Sequence, residues 1–103
     1  MYIINITFLV SDAASAKWIT WLRNEHIPGI TATGLFHTPQ LTKVLSQEQD
    51  GGVSYAVQYR SNNVDNIELW HHKYEQTIKA QCHTLFGDEV LFFSTILEVL
   101  SEK

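Results

Sequence analysis

The sequence predicts an α+β domain in the order β-α-β-β-α-β, folded as a four-stranded antiparallel sheet with two helices on one face. Three observations carry this prediction. Residues 2–10 alternate with the period of a strand, residues 35–60 hold two β-rich runs joined through Asp50-Gly51-Gly52, and each half of the chain carries one stretch with helical start and stop signals.

The first strand is expected from Tyr2 to Val10, with Ile4, Ile6, Phe8 and Val10 on one side and Ile3, Asn5, Thr7 and Leu9 on the other. Ser11 or Asp12 offers an N-cap for the first helix, which runs to about His26. Pro28 and Gly29 are expected to stop it, because proline lacks the helical donor and disfavours helical geometry in the residue before it. Strands from Leu35 to about Ser46 and from Val53 to Arg60 form an antiparallel pair, and Gly51-Gly52 supplies the positive backbone angles of its turn. Asn62 to Asp65 opens the second helix, Asp65 and Glu68 having capping-box spacing, and Gly87 ends it. A final strand follows from about Val90 to Leu100.

Right-handed crossovers leave few topologies for this order, and the commonest is the ferredoxin-like sheet with strands one and three central. Val53, Tyr55, Val57 and Tyr59 share one side of the third strand, and Ser54, Ala56, Gln58 and Arg60 the other. The last strand is apolar on both sides: Leu91, Phe93, Leu97 and Val99 on one, Val90, Phe92, Ile96 and Leu100 on the other. A sheet covered on one face alternates apolar and polar, so this strand calls for a second covering surface, and a homodimer packed sheet to sheet provides it.

The 103 residues make one domain, 1–103, able to bury roughly 60–70% of the surface its unfolded chain exposes. With 45% hydrophobic and 17% charged residues and a net charge of −4, the chain reads as a soluble globule, with neither nucleic acid nor an anionic membrane as its partner. The apolar start is too short to span a bilayer and has no basic leader, so it reads as a strand rather than a signal peptide. Cys82 is the only cysteine, which excludes an intrachain disulfide and fits a reducing cytoplasm. The five histidines lack paired metal-ligand spacing, and no glycine loop suited to a phosphate is present. No metal or cofactor is therefore assigned.

The spacing Trp18, Trp21, Leu22, His26-Ile27-Pro28, Gly34-Leu35-Phe36, then Gly51-Gly52-Val53, Tyr55-Ala56-Val57-Gln58-Tyr59, Phe86-Gly87 and Thr95-Ile96-Leu97-Glu98-Val99 resembles a bacterial family, domain of unknown function 4286. The resemblance covers nearly the whole chain. It implies the dimeric α/β-barrel group, whose members include cofactorless monooxygenases, lactone isomerases and haem-handling proteins. It also implies a homodimer in the bacterial cytosol, but no particular chemistry.

At 100° per helical residue, Ala14, Trp18, Leu22 and Glu25 share a stripe flanked by Trp21 and His26. An acid on that stripe, buried, acquires the raised pKa of a general acid or base. In the second helix the same projection groups Ile67, His71, Tyr74, Ile78 and Leu85, flanked by Trp70 and Cys82. The candidate catalytic residues are thus Glu25, His26, His71 and Tyr74. The candidate ligand-binding residues are Trp18, Trp21, Trp70, Asn5 and Gln58, suited to a small apolar or aromatic ligand. Each has a structural alternative: His26 caps the negative end of a helix, Glu25 reaches water, the aromatics fill the core, and Asn5 and Gln58 satisfy one another.

Three functional classes follow from these residues. One is a small dimeric accessory or regulatory module without catalysis. Another is a small-molecule-binding protein or cofactor-independent enzyme, with Glu25 or His26 as base and Tyr74 or His71 orienting the substrate between helices and sheet. The third is an RNA binder that uses Val53, Tyr55, Val57 and Tyr59 as an aromatic strand, against which the basic flanks of such proteins are missing.

Overall fold

A computed structural model describes residues 1–45 and 51–102. Its four strands are β1 (Tyr2–Ser11), β2 (His37–Lys43), β3 (Gly52–Ser61) and β4 (Val90–Glu98), joined into one antiparallel sheet of order β2-β3-β1-β4. The predicted element order and the central pair β1 and β3 are observed. Most of the predicted tip between β2 and β3, through Asp50, lies outside the described residues.

Register sorts the side chains onto two faces. Ile4 pairs with Tyr59 and Ile96, Ile6 with Val57, and Phe8 with Tyr55 and Phe92, and this side packs under the helices. The first helix occupies residues 15–31 and the second residues 64–86. Between them and the sheet lies an aromatic core in which Phe8, Trp18, Tyr59 and Trp70 are fully buried. Each such side chain stabilises the fold by roughly 1.5–3 kcal/mol relative to an exposed one.

Both helices depart from the α period at the same relative place. The Ile27 N–H donates to the Leu22 carbonyl and the Glu75 N–H to the Trp70 carbonyl, five residues back in each case, so each helix carries a π turn, Leu22–His26 and Trp70–Tyr74. An inserted residue rotates everything downstream by about 100° relative to an uninterrupted helix. The consequence is a change of core residue: His26 is buried where Glu25 was expected, and in the second helix Trp70 and Phe86 are buried while His71 and Leu85 face out.

The helix ends also differ from expectation. The first helix does not stop at Pro28-Gly29. Pro28 begins a new α segment, Ile27–Thr31, just after the π turn, where a missing N–H costs little. Gly34 terminates the run instead, with φ +74° and its N–H donating to the Thr31 carbonyl at 3.1 Å. The N-cap of the second helix is Asn63 rather than Asp65, its side chain accepting from the Asp65 N–H at 2.9 Å. Gly87, at φ +57°, ends that helix as expected.

Candidate functional site

The π turn in the first helix determines what lies at the centre of the helix–sheet layer. His26 is 4% exposed and sits among three aromatic rings, with centroids 5.3 Å from Trp21, 5.8 Å from Tyr59 and 6.2 Å from Phe8. Burial among them pushes its imidazole down from the ordinary 6.5 to about 4, so it is neutral at pH 7. Burial also pushes the Tyr59 hydroxyl well above its ordinary range. Among the described residues, His26 Nε2, Tyr59 Oη and Trp18 Nε1 have no hydrogen-bond partner, although all three are buried. Leaving such a group unpaired costs about 1–3 kcal/mol each, so three in one layer call for an explanation.

The other predicted residues do not join His26. Glu25, one residue away, is exposed and lines the hollows between the helices rather than the core. His71 is also exposed and pairs with Glu75, Nδ1 to Oε2 at 3.3 Å, one helical turn along. Tyr74 is half-buried with its ring edge-on to Phe36, 5.9 Å between centroids. The expected quartet of Glu25, His26, His71 and Tyr74 is therefore split between solvent and core, because a projection at constant 100° carries no π turns. Trp18 stacks on Tyr55 at 4.7 Å, and the Trp70 indole reaches Ser94 Oγ at 3.5 Å.

Asn5 and Gln58 lie on the opposite face of the sheet and cannot share a chamber with the tryptophans. Gln58 Nε2 donates to Asn5 Oδ1 at 3.1 Å, and Asn5 Nδ2 donates to Thr7 Oγ1 at 3.4 Å. A polar row, Gln40, Gln58, Asn5 and Thr95, crosses the sheet here, and the β1–β4 half of the open face beside it is apolar: Leu9, Leu91, Phe93 and Leu97 are 38%, 58%, 63% and 41% exposed. Val57 and Tyr59 point into the core and Tyr55 packs against it, so they form no displayed platform of the kind the RNA reading requires. Cys82 is buried, and burial pushes its thiol up to about 12, which disfavours the thiolate near neutral pH.

Two adjoining hollows open between the helices, of about 450 and 560 Å³, and share Trp21, Glu25 and Leu85 as lining. His26 lies behind the shared Trp21 wall. Tyr59 entered the sequence reading only in the RNA-binding strand and not among the catalytic or ligand-binding candidates; its signal is a hydroxyl-bearing aromatic on the helix-facing side of β3, opposite Ile4. Among the described residues no cluster of three or more His, Cys, Asp or Glu side chains is arranged to hold a metal ion, and no helix is long and apolar enough to cross a membrane.

An α+β chain with this sheet order and both helices on one face has the ferredoxin-like fold. The model of the domain of unknown function DUF4286 matches residues 1–100, and the chain belongs to that family. Comparison with curated proteins gave no match. Among solved structures, the chain is similar to a Bacillus cereus protein whose assignment as an antibiotic biosynthesis monooxygenase is provisional. The TM-score is 0.64 at 18% identity, covering 99% of this chain and 95% of that one. An ethyl tert-butyl ether D (EthD) family protein from Bacillus halodurans gives 0.64 at 11%, covering 97% and 100%. A dimeric ferredoxin-like protein from an uncultured marine organism gives 0.62 at 10%, covering 99% and 98%. At identities this low the likeness shows the shared fold alone.

Proposed function

We propose that this protein is a homodimeric accessory or regulatory module, assembled sheet to sheet and without catalysis, in the bacterial cytoplasm. The observation that carries the reading is the exposed apolar patch Leu9, Leu91, Phe93 and Leu97 on the β1–β4 half of the open face, beside the Asn5–Gln58 pair. Strands of up to ten residues in a four-stranded sheet span about 30 by 19 Å, roughly 600 Å² before side-chain relief. That approaches the roughly 800 Å² per partner of a standard stable interface. The description of a structural neighbour as dimeric supports the same occupant. Light scattering on a sizing column tests it. The wild type is expected at twice the chain mass and Phe93→Lys at the single mass, with both folded; a monomeric wild type refutes it.

A proton-transfer enzyme, with Glu25 or His26 as base and His71 or Tyr74 orienting a carbonyl substrate, has less support. Its residues face different surroundings, and Glu25 and His71 stand in water. The buried His26 and Tyr59 favour a narrower reading, binding of a small molecule.

A further inference from the structure

We propose that the outer edge of β4 is a second contact between copies of this chain, in which β4 pairs antiparallel with β4 of another copy about a two-fold axis at Ser94. It uses the edge of the sheet and not its face, so it holds or fails independently of the dimer proposed above.

The two edges of the sheet differ. β2, at one edge, carries a bulge with Thr38 at φ +52°, then Pro39 and Lys43, all devices that discourage pairing with another chain. β4, at the other edge, pairs with β1 without a break from Val90 to Glu98 and holds no proline, glycine, lysine or arginine. Its bound side defines its free side. The Val99 N–H donates to the Met1 carbonyl at 3.0 Å in the same register, so the odd-numbered residues of β4 bond to β1. The N–H and carbonyl groups of Val90, Phe92, Ser94, Ile96 and Glu98 therefore point outward.

A second copy fits this edge because the strand matches itself. About Ser94, Phe92 stands against Ile96 and Leu91 against Leu97, Ser94 meets its own equivalent, and every outward backbone group from Val90 to Glu98 gains a partner. Centring on Phe93 or Thr95 instead leaves one end of the strand unpaired and separates the leucines. Between this edge and the second helix lies a groove of about 720 Å³, with Lys79, His83, Val90 and Phe92 in its lining. Side chains of directly opposed residues share a face, so Glu98 and Ile96 of the second copy enter the groove beside Val90 and Phe92. Glu75 in that groove is already paired with His71, whereas Lys79 has no ion pair among the described residues and, against Asp88, receives the incoming Glu98 carboxylate. The nine residues of β4 offer about 30 by 10 Å, roughly 300 Å² per copy. That is well below the roughly 800 Å² per partner of a standard interface, so the contact forms in concentrated protein and leaves the species seen on a dilute sizing column unchanged.

Hydrogen exchange followed residue by residue on the full chain, at micromolar and at millimolar concentration, tests it. The Phe92, Ser94 and Ile96 amides are expected to exchange at least about fivefold more slowly in the concentrated sample, with the inward amides of Phe93 and Thr95 protected in both. Sedimentation over the same range is expected to show species larger than the dilute one. Ser94→Pro removes an outward N–H while leaving the β1 ladder whole, and it is expected to abolish both effects, protection at Ile4 and Ile6 reporting that it is folded. Edge amides that exchange freely in the millimolar sample overturn the proposal whatever the state of the sheet face, as does protection that is equal at both concentrations. So does a folded Ser94→Pro that associates like the wild type. Should that variant not fold, the wild-type amides decide alone.

Discussion

Lowering the pH from 7 to 4 tests the burial of His26 directly. In the fold its imidazole stays neutral down to about 4, whereas the unfolded chain takes up the proton near 6.5. Below 6.5 the unfolded state therefore binds more protons than the native state, and stability falls with each step of acidification until about 4, where both states are protonated. Above 6.5 this residue adds no pH dependence. At about 1.4 kcal/mol per pKa unit, the loss across that window is roughly 3 kcal/mol, a large part of the 5–15 kcal/mol that holds an ordinary domain together. Other groups titrate in the same range, so the quantity to measure is the difference between the wild type and His26→Leu. Urea unfolding at pH 7, 5.5 and 4, at one fixed protein concentration, supplies it. The wild type is expected to lose roughly 3 kcal/mol more than the variant between pH 7 and 4. Parallel pH profiles would refute the placement of a neutral imidazole in this core.

Trp70→Ala empties a fully buried site beside Tyr59 and Phe36 and is expected to cost about 3–5 kcal/mol in urea unfolding. Gly87→Ala forces an L side chain to φ +57° and is expected to cost about 1 kcal/mol by the same assay. Glu25→Gln with His71→Gln changes two exposed groups and is expected to shift stability by no more than about 0.5 kcal/mol, which calorimetry at pH 7 checks.

Strand periodicity survives translation into structure because side chains alternate strictly. Ile4 to Val10 and Val53 to Tyr59 face the helices as their spacing requires. Helix faces were legible only up to the π turns. Buried residues recur every four positions at Ala14, Trp18, Leu22, His26 and Ile30, and again at Trp70, half-buried Tyr74, Ile78, Cys82 and Phe86. A spacing of four drifts about 40° per step on an α-helix, so four such steps in a row are the written trace of an inserted residue. That trace separates His26 from Glu25 and turns His71 to solvent. β2 begins at His37 rather than Leu35, since Leu35 and Phe36 follow directly on Gly34 where the first helix ends, and a bulge at Thr38, φ +52°, and Pro39 interrupts the strand between His37 and Gln40. No local spacing reveals that His26 and Tyr59 meet, since they come from elements thirty-three residues apart that only the sheet order brings together.

Mixing carbon-13-labelled with unlabelled protein and recording only contacts between differently labelled chains tests the shared sheet face most directly. The account predicts cross-peaks from Leu9, Leu91, Phe93 and Leu97 to the opposite copy. An absence of such cross-peaks, or their confinement to helix residues such as Leu69 and Leu85, would contradict it.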